Sequence, residues 1–150
     1  MMKRLLYLFM PLLCCACEEN TSIDPTLMPE ATKTGKNTLG CLIDGWIYTG
    51  GRFGLPKATI INDEKTDYCL IETKVGIFKT LRFKLVNPTV NAECAYIDAI
   101  LEEENMGNGK AFITRKDGTV ISGTFSGNRI TEGRFDIRYI EKNTEENIAY

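Results

Sequence analysis

Leu39-Gly40-Cys41-Leu42-Ile43-Asp44-Gly45-Trp46-Ile47-Tyr48 is the stretch that decides the fold. Leu39, Cys41 and Ile43 alternate with Gly40, Leu42 and Asp44, which is the two-residue period of a half-buried strand. Asp44-Gly45 is a favoured two-residue hairpin turn. Trp46-Ile47-Tyr48 returns from it as a second strand, and Gly50-Gly51 ends the unit.

The chain beyond repeats this pattern. Residues 57–61 form a short β-branched run closed by Asn62-Asp63-Glu64-Lys65, and 68–73 form another. In 79–86, Leu81, Phe83 and Leu85 take one face and Arg82 and Lys84 the other, until Asn87-Pro88 breaks the strand. Residues 92–101 read two ways. Tyr96, Ile97, Ile100 and Leu101 share a helical stripe, whereas Cys94, Tyr96 and Asp98 share a strand face. Every neighbour is a strand, so a strand is expected. Gly107-Asn108-Gly109 is expected to turn the chain. Residues 111–115 and 120–125 flank Asp117-Gly118 as a second hairpin, and Gly123 marks a bulge or a close backbone approach. Ser126-Gly127-Asn128 turns again. The last strand, 133–140, points Phe135, Ile137 and Tyr139 inward and Arg134, Asp136 and Arg138 outward. The expectation is an all-β domain over residues 39–141, an antiparallel β-sandwich or partly closed barrel of about eight strands. A polar tail, 142–150, follows.

The N-terminus carries a different signal. Met1-Met2-Lys3-Arg4 is basic, residues 5–13 are mostly apolar, and Cys14-Cys15-Ala16-Cys17 leads into Glu18-Glu19. A basic head and a short apolar run make an export signal. The run is too short for a membrane span, which needs about 20 apolar residues. The pattern resembles a bacterial lipobox, with cleavage after residue 16 and lipid on the sulfur of Cys17. An ordinary secretory signal and a retained anchor are the competing readings. Residues 17–38 are polar, contain Pro25 and Pro29, and read as the lipidated Cys and a flexible tether. The membrane partner is thus reached through Cys17.

The formal charge of −2 becomes −4 once Lys3 and Arg4 leave, which argues against a nucleic-acid partner. Cys41, Cys69 and Cys94 remain in the exported chain; they are either small buried residues or supply one disulfide, the pair being undetermined. There is no histidine, so neither a Ser-His-Asp nor a Cys-His arrangement can form. The acidic groups Asp63-Glu64-Asp67, with Asn62, and Glu102-Glu103-Glu104 read as solvated turns rather than calcium ligands. No catalytic residue, metal site or cofactor is expected, and the chain is expected not to be an enzyme. Trp46, Tyr48, Arg52 and Phe53 surround Gly50-Gly51, either as core cover or as a platform for a glycan or an envelope protein. A small barrel carrying an apolar ligand is the alternative function; an envelope hydrolase would need paired carboxylates in a cleft.

Two stretches resemble a family of uncharacterised Bacteroidetes lipoproteins. Pro29, Ala31, Thr32, Thr34, Gly35, Asn37, Thr38, Leu39 and Gly40 fit the P-x-A-T-x-T-G-x-N-T-[FL]-G segment that opens its first hairpin. Ile121-Ser122-Gly123-Thr124-Phe125 and residues 130–137 are similar to its closing strands. The resemblance implies an exported all-β domain at the outer membrane, on its periplasmic face or at the cell surface, with no assigned activity.

Overall fold

The computed structural model describes residues 27–76 and 79–143. The expected export signal, Cys17, the first part of the expected tether and most of the C-terminal tail lie outside them. Nine strands follow: β1 (Thr38–Ile43), β2 (Trp46–Gly50), β3 (Lys57–Asn62), β4 (Asp67–Val75), β5 (Lys79–Val86), β6 (Glu93–Leu101), β7 (Glu104–Lys116), β8 (Val120–Gly127) and β9 (Ile130–Asn143). The expected all-β antiparallel architecture is present, in its barrel form.

Eight strands close in the order β1-β2-β4-β5-β6-β7-β8-β9, with β9 returning to β1. The seam between β2 and β4 is a single pair, Gly50↔Val75. β3 is the extra strand. It lies antiparallel to β4 and parallel to the end of β9, so β9 is shared: its first half pairs with β1 and Tyr139 to Asn143 pair with β3.

The opening hairpin is built as its sequence requires. Asp44 and Gly45 both have positive φ, 51° and 85°, the geometry that matches strand twist across a two-residue turn. Residues 93–101 are a strand, interrupted at Asp98 (φ 54°), where the pairing with β7 shifts between Tyr96 and Ala99. That bulge explains the mixed periodicity: one extra residue puts both Tyr96 and Ala99 into the core. The expected turn at Gly107-Asn108-Gly109 is corrected. The chain turns at Glu102-Glu103 instead, and β7 runs through the glycines. Gly107 supplies a bulge with φ 81°, and Gly109 lies flat under the Tyr96 ring.

The interior is filled by aromatic rings seated on glycines. Phe83, Tyr96, Phe125 and Phe135 form one cluster, with centroids 4.7 Å apart for Phe83–Phe125 and 6.0 Å for Phe125–Phe135. Three of these rings face a glycine across the ladder: Tyr96↔Gly109, Phe125↔Gly133 and Phe135↔Gly123. A Cβ on Gly133 would lie 2.6 Å from the Phe125 ring, and one on Gly109 would lie 2.5 Å from Tyr96. Glycine lets the wall bend tightly, and the ring covers the backbone that glycine leaves bare. Aliphatic side chains complete the core, among them Leu81, Leu85, Ile113, Ile121 and Ile137.

A Cβ on Gly123 would meet the Phe112 carbonyl oxygen at 2.3 Å, whereas one on Gly118 meets nothing within 4 Å. Gly123→Ala is therefore expected to lower stability by about 1–3 kcal/mol and Gly118→Ala to change it by under about 0.5 kcal/mol. Urea unfolding of the two variants checks this; equal midpoints would contradict the ring-on-glycine packing.

Candidate functional site

Asp136 points outward from β9, as its alternation requires, yet only 1% of its surface is exposed. The cover is the segment that precedes β1. Oδ2 of Asp136 accepts from Thr32 Oγ1 at 2.6 Å and from the backbone N–H groups of Thr34 and Lys36, both at 3.1 Å. Oδ1 accepts from Gly35 N–H at 2.8 Å and from Ser122 Oγ at 2.7 Å. Three successive N–H groups converging on one carboxylate form an anion-binding nest. Gly35, at φ 75°, makes the turn and leaves room for Val120, whose Cγ2 would lie 2.8 Å from an added Cβ.

Further ties hold the same segment. Asn37 Oδ1 accepts from the Arg138 N–H at 2.9 Å, and Arg115 donates to the Lys33 carbonyl. Pro29 lies over Gly40, where a Cβ would be only 2.3 Å from its Cδ. Residues 32–38 were expected to belong to a flexible tether; that part is corrected, because they are fastened to the barrel. Composition misled here: a polar stretch rich in Thr, Lys, Asn and Gly is also what wraps a buried carboxylate.

Ala31, immediately before this strap, stands at the edge of a groove of about 490 Å³ on the outer face of β6 to β9. Cross-strand pairing lays out the floor. Glu93, Phe112, Thr124 and Arg134 are successive partners across four strands, and Lys110 pairs with Ser126 beside them. Phe112 is 43% exposed. Glu132 joins Arg134 from a bulge in β9: its φ is 49°, and the pairing with β1 slips between Gly40 and Leu42. A bulge of this kind re-aims a side chain, here into the groove.

Glu93 and Lys110 bond each other at the rim, 3.0 Å apart. Arg134, Glu132, Thr124 and Ser126 have no side-chain partner among the described residues. In a second outer groove of about 470 Å³, Arg82 is bound to Glu72 at 2.8 Å and Lys84 to Asp98 at 3.2 Å. In the β6–β9 groove, unpaired polar groups and an exposed ring lie together.

The residues singled out in the sequence are placed elsewhere. Trp46 sits at the tip of the β1–β2 hairpin, opposite Ile43, and is 75% exposed rather than part of the core. Tyr48 is half-buried, with the Lys79 ammonium 5.8 Å from its ring centre. At the other end of β2, the Arg52 guanidinium lies 5.4 Å from the centre of the Phe53 ring. The structure thus joins Arg52 to Phe53, and β2 separates them from Trp46. Cys41, Cys69 and Cys94 are all free thiols, which corrects the reading of one disulfide among them. Cys41 and Cys69 are enclosed in the core, and burial pushes both thiols up to about 12. The Asp63 carboxylate accepts from its neighbour Glu64 N–H, and no cluster able to hold a metal ion occurs among the described residues.

Phe112 and Glu132 were missed in the sequence. Ala111-Phe112-Ile113 held a clue, since strand alternation must expose the middle of three apolar residues. Nothing local announces the bulge at Glu132. Compared with protein-family models, curated proteins and solved structures, the chain gives no match.

Burial alone would raise the pKa of Asp136. Hydrogen bonds from Thr32, Ser122, Lys36 and Gly35 outweigh it and hold the group at about 2, below its ordinary 3.8. The folded protein then binds fewer protons than the unfolded chain in that interval, so stability falls as pH drops through it. The strap's contribution, about 2 kcal/mol, is expected to be intact above pH about 4 and lost by pH about 2. Asp136→Asn is expected to cost about 2–3 kcal/mol at neutral pH and to flatten that acid limb. Asp117 is lowered to about 2 as well, so the check is the difference between wild type and variant in urea midpoints across pH. Parallel curves would contradict the assignment.

Proposed function

We propose that this chain is a non-catalytic binding module of the bacterial cell envelope, held at the outer membrane by lipid on Cys17. The barrel meets its partner, a glycan or an envelope protein, through the β6–β9 groove. One observation carries the binding reading: unpaired Arg134, Glu132, Thr124 and Ser126 surround an exposed Phe112 in an open groove. The anchor rests on the N-terminal pattern alone, a basic head, a short apolar run and Cys17 before Glu18-Glu19. More than one acyl chain makes such anchoring stable, each buried CH₂ contributing about 0.8 kcal/mol.

A second reading, carriage of an apolar ligand, draws support from the closed barrel itself. The packed rings of Phe83, Tyr96, Phe125 and Phe135 fill that barrel's interior, so an internal ligand would have to part them. The outer groove needs no such rearrangement.

Fractionation of cells producing the full chain or Cys17→Ala, with a photoreactive residue in place of Thr124 in both, tests the proposal. Wild type is expected in the outer-membrane fraction, with a crosslinked partner. Cys17→Ala is expected to be released or unprocessed. Membrane retention of Cys17→Ala together with normal acyl labelling would refute the anchor, and the absence of any adduct at position 124 would refute the groove.

A further inference from the structure

We infer that the ligand of the β6–β9 groove is a neutral saccharide chain; this rests on the groove-binding reading above. The floor has the mixture of groups that a sugar ring uses. A pyranose presents a face of C–H bonds and a rim of hydroxyls. The C–H face needs a flat apolar surface, and Phe112 offers an exposed ring. Each hydroxyl both donates and accepts, so its site needs both kinds of partner. Arg134 supplies only donors, Glu132 only acceptors, and the hydroxyls of Thr124 and Ser126 do both.

Charge decides against other ligand classes. Glu93 and Glu132 balance Lys110 and Arg134 in the lining, and the Glu93–Lys110 pair is closed on itself. A phosphate or nucleic acid would call for a surplus of cations, which the groove lacks. A peptide held by its backbone would need a free strand edge, and the floor is the face of four strands already paired to one another. Shape agrees. Four strands spaced by about 4.8 Å give a floor about 15 Å wide, open to solvent, so a chain can lie across it without threading. Glu132, with its unusual backbone (φ 49°), and Arg134 both line the groove.

The test is amide chemical-shift mapping on the isotope-labelled full chain in mild detergent, with three probes: neutral maltooligosaccharides and galactooligosaccharides, oligogalacturonate, and an extended polar peptide. Neutral sugars are expected to shift Phe112, Thr124 and Arg134, and Phe112→Ala is expected to weaken that binding about tenfold. Phe112 is half exposed, and an otherwise unchanged spectrum of the variant confirms that it folds. Unaltered affinity in Phe112→Ala overturns the inference. Shifts at the same amides from oligogalacturonate or peptide alone also overturn it, while leaving the groove as a binding site. No groove shift with any probe overturns both.

Discussion

A carboxylate with no ion pair among the described residues ties the beginning of this domain to its end. Asp136 is buried on the outside of the barrel, where a charge is costly unless hydrogen bonds replace its water. Five donors do so, four of them from residues 32–36 and one from Ser122. Each such bond to a charged group contributes about 1.5–3 kcal/mol, set against desolvation of the same order. The net gain is modest, but the geometry is specific, because five donors must converge on one carboxylate. The strap in turn places Ala31 at the groove edge and Pro29 over Gly40. A local electrostatic requirement therefore shapes the surface proposed to bind.

The barrel beneath is closed by a second constraint, of volume. A ring of eight strands has a narrow interior that side chains can fill. Large rings fit only if the wall opposite is bare, and glycines at 109, 123 and 133 provide that. These glycines lie on β7, β8 and β9, which also carry most of the groove lining, so the inner packing and the outer groove share strands. The weakest part of the closure is the single Gly50↔Val75 pair between β2 and β4, and β3 fills the wall where those strands diverge.

Much of this was readable in the sequence. The Asp44-Gly45 turn, the alternation of Leu81, Phe83 and Leu85, and the inward triad Phe135, Ile137 and Tyr139 depend on neighbours along the chain, and all occur as read. What failed was non-local. Gly107-Asn108-Gly109 looked like a turn because turn chemistry and ring-packing chemistry both ask for glycine. Residues 32–38 looked like tether because their partner, Asp136, lies about a hundred positions away. Residues 32–36 of the opening segment meet Ser122 and Asp136 of the closing strands at that carboxylate. The groove was harder still. Phe112, Thr124, Glu132 and Arg134 come from three strands, and one of them is aimed by a bulge that leaves no local trace in the sequence.

Hydrogen exchange at the amides of Thr34, Gly35 and Lys36 measures the central claim, that the polar stretch before β1 belongs to the folded domain and is locked there by Asp136. Protection approaching that of the β8 and β9 amides, and lost in Asp136→Asn, is the predicted result. Exchange in the native protein at the rate of an open chain would contradict it.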